Sequence, residues 1–167
     1  TGWYYFRTLS DDQAGNSFTD WTFQNVPSNS ADWRDRWIEI RRANILLENV
    51  DRVNMSDEAK KHWTGFGRLM RAWNYYLLVR AYGDVPWIDA SLDITDEGML
   101  YGPRENRDGV MDKVLEDLTF ATQNMYDNAS KTTLNRNVAY AMKSEICLFE
   151  GTFRKYRVAT DGQREPD

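Results

Sequence analysis

Ser56-Asp-Glu-Ala-Lys-Lys-His-Trp-Thr-Gly-Phe-Gly-Arg-Leu-Met-Arg-Ala-Trp-Asn-Tyr-Tyr-Leu-Leu-Val-Arg-Ala-Tyr-Gly-Asp-Val-Pro86 reads as one long helix between a start and a stop signal. Ser56 is an N-cap, since its hydroxyl can accept from a first-turn amide. Asp57 and Glu58 follow where the helix dipole favours negative charge. Ala59, Trp63, Phe66, Met70, Trp73 and Leu77 recur at helical spacing and predict the buried stripe. The helix ends near Tyr82: Gly83 suits the left-handed C′ position, and Pro86 bars continuation. Gly65 and Gly67 inside the helix each cost ~1 kcal/mol against Ala, so a neighbouring helix backbone is expected to approach closely there.

Three more helices flank this one. The first runs over 31–53, with Ser30 as its N-cap and Trp33, Trp37, Ile40, Asn44 and Leu47 on one stripe. Asn44 is the polar member, and an orphaned buried amide would cost roughly 1–3 kcal/mol, so hydrogen-bond partners are expected for it. The third helix spans about 107–126, with Val110, Val114, Leu118, Ala121 and Met125 inward. The fourth spans 137–151, with Ala139, Met142, Ile146, Phe149 and Phe153 in register and Gly151 as its end. Small residues on it (Ala139, Ala141, Ser144, Cys147) predict tight packing. Two helix pairs with apolar faces on both sides predict an all-α stack of helical hairpins, the logic of a solenoid. Residues 1–30 show no helical period and form an irregular, aromatic-rich segment; 158–167 read as a polar tail. The linker Asp84–Glu105 is long for a compact domain, which marks it as functional or mobile.

Composition removes several function classes. With 21 Lys+Arg against 26 Asp+Glu, the net charge of −5 argues against a duplex nucleic-acid partner. One cysteine and one histidine exclude an internal disulfide framework and any multi-cysteine or multi-histidine metal site. No run approaches the ~18–20 apolar residues that cross a bilayer. No phosphate-binding glycine loop is present, and no cofactor is expected. The chain opens on Thr1 and closes on polar residues, so it reads as a piece of a longer protein whose signal sequence is absent or removed.

Four stretches carry a resemblance. They are Arg36-Trp-Ile-Glu-Ile-Arg-Arg-Ala-Asn-Ile-Leu-Leu-Glu48, the Gly67–Pro86 half of the opening helix, Arg104-Glu-Asn-Arg-Asp-Gly-Val-Met-Asp-Lys-Val-Leu-Glu-Asp-Leu118, and Lys143-Ser-Glu-Ile-Cys-Leu-Phe-Glu-Gly-Thr-Phe-Arg-Lys-Tyr156. In this order the chain resembles the SusD/RagB family of outer-membrane nutrient-binding lipoproteins from Bacteroidetes, over about 30–157. Phe66 departs from the pattern, standing where the family usually has Glu. The resemblance implies tetratricopeptide-like helix pairs and a role in capturing an oligosaccharide at the cell surface. It further implies delivery to a SusC-like TonB-dependent transporter, and a lipid anchor upstream of Thr1. Motif residues in that family serve mainly the scaffold and docking, so the resemblance names a role better than a ligand.

Candidate ligand contacts come from the residues themselves. Sugar rings stack on flat aromatic faces with polar neighbours at the rim. Asp11, Trp21, Phe23, Asn25 and Trp33, in or beside the irregular opening segment, and Trp87 in the linker fit that need. The competing reading buries these rings as a cap on the stack, and Trp87 can be presented outward or folded back. Trp37, Trp63 and Trp73 are expected in the core, His62 on the half-exposed surface and Cys147 as a small core residue. Arg154, Lys155 and Arg157 read as a solvated helix end. Asp11/Asp12, Asp84/Asp89 and Asp96/Glu97 could supply a glycosidase's two carboxylates, but 26 acids make such pairs inevitable. Asp93-Ile-Thr-Asp-Glu-Gly98 has oxygen ligands without EF-hand spacing. A non-catalytic binding protein is expected, against a helical-repeat scaffold for a protein partner and, further off, a surface glycosidase.

Overall fold

In the computed structural model the described residues are 30–127 and 132–161, with side chains as far as Arg157. The helices are α1 (Ala31–Asn49), α2 (Asp57–Tyr82), a single-turn α3 (Glu97–Leu100), α4 (Arg107–Asn124) and α5 (Arg136–Asp161). A 3-10 turn, Val50–Arg52, follows α1. Among the described residues there is no strand, only an isolated bridge between Val85 and Glu105. The fold is all-α, and the helices belong to one compact unit. α2 packs on α1 to one side and on α4 to the other, and α4 pairs with α5. Two helical hairpins are thus stacked through α2 and α4. No helix of the described residues is long and apolar enough to cross a membrane.

The α4 stripe lies where its periodicity put it: Val110, Val114, Leu118, Ala121 and the C-cap residue Met125 are fully buried. Two side-chain acceptors start this helix. Asn106 Oδ1 accepts from the Asp108 amide at 2.8 Å, and Asp84 Oδ1 accepts from the Arg107 amide at 2.9 Å. Ser56 caps α2 as expected, accepting from the Ala59 amide at 3.2 Å. Gly83 ends it with a φ of 71°, a conformation that disfavours a Cβ.

The buried face of α2 departs from the expected stripe. Its centre carries Gly65, Leu69, Ala72, Tyr75, Tyr76 and Val79, whereas Trp63 is 43% exposed and Phe66, Met70, Trp73 and Leu77 lie at the margin of the core. The cause is that α2 is gripped from two sides. A Cβ on Gly65 would stand 2.8 Å from Met125 Cγ and 3.5 Å from Ala121 Cα, so glycine lets α4 come close. Indoles do not fit that narrow face and are displaced to its edge. At Gly67 the neighbour is the Leu47 side chain rather than a helix backbone.

His62 is buried, not half-exposed. Its Nδ1 accepts the Tyr126 amide at 3.1 Å, and the two rings stack with centroids 4.0 Å apart. Burial pushes its pKa below the ordinary imidazole value.

Asn135 stands just before α5, and its Oδ1 accepts from the Asn137 and Val138 amides. It then passes Gly151 without stopping and reaches Asp161, so the first four residues of the expected polar tail are helical. Residues 162–167 lie outside the described residues. A glycine inside a helix weakens it by ~1 kcal/mol but does not force an end, and contacts beyond Gly151 outweigh that. Arg154 is buried rather than solvated: it donates to Glu150, Asp112 and the Asp108 carbonyl. Arg107 pairs with the same Glu150 and lies 3.7 Å from the centre of the Phe153 ring. This network ties α5 to the start of α4. Cys147 is exposed, as are Ala141 and Ser144, because the buried line of α5 runs through Ala139 and Ile146 on another face.

Candidate functional site

The linker from α2 to α4 leaves and returns at one place. Glu105 N–H donates to Val85 O at 3.1 Å, so its two ends are joined. From Pro86 to Leu92 the chain forms a strap along α1, and side chains of α1 and α2 take up its backbone groups. Asn44 Nδ2 donates to the carbonyls of Ile88 and Ala90 at 3.0 and 3.1 Å. Arg41 donates to the carbonyl of Leu92. Glu48 accepts from the Ser91 amide at 2.6 Å and from its hydroxyl. The Tyr75 hydroxyl accepts the Ile88 amide at 2.6 Å and faces the Ile88 carbonyl at 3.0 Å.

A buried relay stands behind Asn44. Its Oδ1 accepts from Arg71 at 3.2 Å, and Arg71 meets both oxygens of Asp117 at 2.7 and 2.9 Å. The partners that the sequence demanded for Asn44 are therefore present. Burial raises the Asp117 pKa, opposed by Arg71 and Arg68, and burial also raises the Tyr75 phenol. The hydroxyl and amide of Ser91 hold the Glu48 carboxyl below its ordinary value.

Between α1 and this strap lies a cleft of about 460 Å³. Trp33, Trp37 and Ile40 line it from α1; Ile88, Ala90 and Leu92 line it from the strap, and Arg41 and Asp93 add charge. Trp33 is half-buried and held edge-on by Trp37 and Tyr82, with ring centroids at 5.5 and 5.0 Å. Such a surface suits a ligand with a flat apolar face and polar groups at its edge.

Of the candidate contacts, Trp33 lines the cleft. Trp87 does not: it folds back and stacks on Tyr75 at 4.3 Å, with Arg71 and Lys113 near its ring. Asp11, Trp21, Phe23 and Asn25 lie outside the described residues. The acidic stretch at 93–98 uses its carboxylates locally, Asp96 accepting from the Asp93 amide and Asp93 from the Ile94 amide. Among the described residues no group of three or more His, Cys, Asp or Glu side chains is placed to hold a metal ion. Sequence reasoning missed Arg41, Glu48, Ser91 and Tyr75. The available signal was the spacing of Arg41, Asn44 and Glu48, three and four residues apart, which puts three polar groups on one side of α1.

A family model described as SusD-like, starch-binding and associating with the outer membrane, matches residues 5–148. The chain belongs to the SusD-like family. It is 27% identical over 128 residues to SusD-like protein P2 of Formosa agariphila, a match covering 75% of this chain and 25% of that protein. SusD-like protein P38 of the same organism is 26% identical over 118 residues, 70% of this chain and 22% of that one. This chain thus spans about a quarter of the length of these relatives. Among solved structures, a SusD-like protein from Bacteroides fragilis superposes with a TM-score of 0.65 at 28% identity, over 73% of this chain and 24% of its own. A laminarin-binding SusD-like protein has the same fold, with a TM-score of 0.65 at 24% identity, over 82% of this chain and 31% of its own.

Proposed function

We propose that this SusD-like chain serves non-catalytic capture of an oligosaccharide at the cell surface, for delivery to a TonB-dependent outer-membrane transporter. The observation that carries the reading is the Trp33 cleft, an aromatic and apolar surface with charged groups beside it, in a chain of a family described as starch-binding. Two solved structures of similar fold support it in kind, a SusD-like protein named as laminarin-binding and one solved with a xylogluco-oligosaccharide. Trp33 offers a ring to one sugar face, and Arg41 and Asp93 offer a donor and an acceptor to its hydroxyls. Asp11, Trp21, Phe23 and Asn25 of the opening segment are further proposed contacts, and Trp87 supports Tyr75 from behind. The outer-membrane site, lipid anchoring and the barrel partner belong to this proposal as well.

Calorimetric titration with starch, laminarin and xyloglucan oligosaccharides tests it. One of them binds, and Trp33→Ala weakens that binding by about tenfold, the size of a lost aromatic contact, while the variant, less stable for the loss of its Trp37 and Tyr82 contacts, stays folded at the titration temperature. Equal affinity in the variant removes Trp33 from the site. Release of reducing ends from any of the three marks a glycosidase instead, and binding of peptides alone marks a scaffold.

A further inference from the structure

Pro86, Ile88, Ala90 and Leu92 of the strap line the cleft, and the last three are also the ones whose carbonyls accept from α1. This coincidence sets the register of the wall. In an extended chain, alternate residues face opposite ways. A slip by one residue would turn Ile88, Ala90 and Leu92 out and bring Asp89 and Ser91 in, beside the Asp93 that already lines the cleft. The wall opposite Trp33 would exchange three apolar side chains for an acid and a hydroxyl beside Asp93. No neighbouring strand fixes this register, since the described residues contain only the bridge at Val85 and Glu105.

We infer that Asn44 and Glu48 are positioning residues for the cleft, locking the strap in the register that presents its apolar side. Asn44 spans two carbonyls, at Ile88 and Ala90, so it reads the alternate-residue spacing directly. Glu48 pins the intervening Ser91 by both its amide and its hydroxyl, which holds that side chain on α1 and away from the cleft. The Arg71–Asp117 pair keeps Asn44 from rotating, because its Oδ1 is committed to Arg71 and only Nδ2 remains for the strap. Tyr75 holds the strap at Ile88 alone, and Asn44 and Glu48 hold the stretch beyond it, from Ala90 to Ser91. Glu48 does not line the cleft, so its effect on a ligand would pass entirely through the strap.

This inference rests on the glycan-binding reading for its ligand, and the test separates the two. Hydrogen exchange over 84–105 is compared in the wild-type chain, Glu48→Ala, Glu48→Gln and Asn44→Ser, and each is titrated with the oligosaccharide that the wild type binds. Glu48 is exposed, so its variants keep the fold even if Asn44→Ser does not. Glu48→Ala is expected to speed exchange at the strap amides and to weaken binding by about tenfold, the scale of a lost hydrogen bond to a charged group. Glu48→Gln, which retains an acceptor, recovers most of both. Protection of α4 stays as in the wild type. In a Trp33→Ala background the Glu48 variant still speeds exchange and costs less affinity than in the wild type, because the two walls hold one ligand between them. Unchanged strap exchange overturns the inference, and so does faster exchange with an unchanged Kd. If the wild type binds no oligosaccharide, the glycan reading falls, and the exchange of the strap in Glu48→Ala alone decides whether these residues position it.

Discussion

His62 and Tyr126 are joined twice, by stacked rings 4.0 Å apart and by the Tyr126 amide donating to His62 Nδ1 at 3.1 Å. An imidazolium would present a second N–H to that amide, so the folded chain needs His62 neutral. Burial acts in the same direction, lowering the pKa from the ordinary value of 6.5. The folded state then binds fewer protons than the unfolded state just below that value, and stability rises with pH there. The stabilisation is complete above 6.5 and is lost as pH falls from 6.5 through the lower folded value. Thermal unfolding between about pH 8 and about pH 5 should show this slope, and His62→Asn, which keeps an acceptor without titrating, should flatten it. Equal slopes in both proteins would assign the dependence to carboxylates.

Glycine substitutions separate the two environments of glycine in these helices. Gly65→Ala should destabilise by about 1–3 kcal/mol, because its Cβ meets Met125 Cγ and the packed backbone of α4. Gly151→Ala should stabilise by ~1 kcal/mol, since nothing lies within 4 Å of its Cβ and alanine is the better helix former. Denaturant midpoints give both signs. A neutral or destabilising Gly151→Ala would mean that α5 does not run through this position.

These contrasts show what the sequence makes legible. The α4 stripe was readable because its buried line is drawn by aliphatic residues at helical spacing, from Val110 to Met125. The α2 face was not. There the buried arc mixes Leu69, Leu78 and Val79 with glycine, alanine and two tyrosines, and Arg71 and Asn74 are buried beside them. Burial preference ranks the displaced Phe66 and Met70 above the tyrosines, Arg71 and Asn74. Asn44 could be identified as a polar group needing partners, yet those partners come from a linker with no period of its own, so the cleft wall had no local signature. Trp33 was found because an aromatic at the start of a helix is visible without tertiary information. Trp87 looked equivalent, and only the fold shows that Tyr75 claims its face.

Arg107 and Glu150 form a buried pair, with side chains 5% and 12% exposed, between α4 and α5. An orphaned buried charge typically costs about 3–5 kcal/mol, but without Arg107 the Glu150 carboxylate keeps its bond to Arg154. Arg107→Met should therefore destabilise by about 2 kcal/mol, below that range because Arg154 still meets Glu150. Adding Glu150→Gln should recover part of the loss, because the neutral amide still accepts from Arg154. A double-mutant cycle on chemical denaturation measures it, and additive losses would mean that the two side chains do not share a bond in solution.

Cys147 gives the last check, on the orientation of α5. It is the single thiol of the chain and lies on the exposed side of the helix, next to Leu148, which is 73% exposed. Ile146, one residue back, is 2% exposed. A rotation of α5 by one residue, about 100°, would exchange these environments. With the described orientation, an aromatic disulfide reagent should modify Cys147 in the folded chain nearly as fast as in guanidinium. A thiol placed at 146 by Ile146→Cys in a Cys147→Ser background should react only as fast as the protein opens. Protection of Cys147 in the folded chain would show that this face of α5 is covered, and reaction at both positions would show that the helix is not docked on α4.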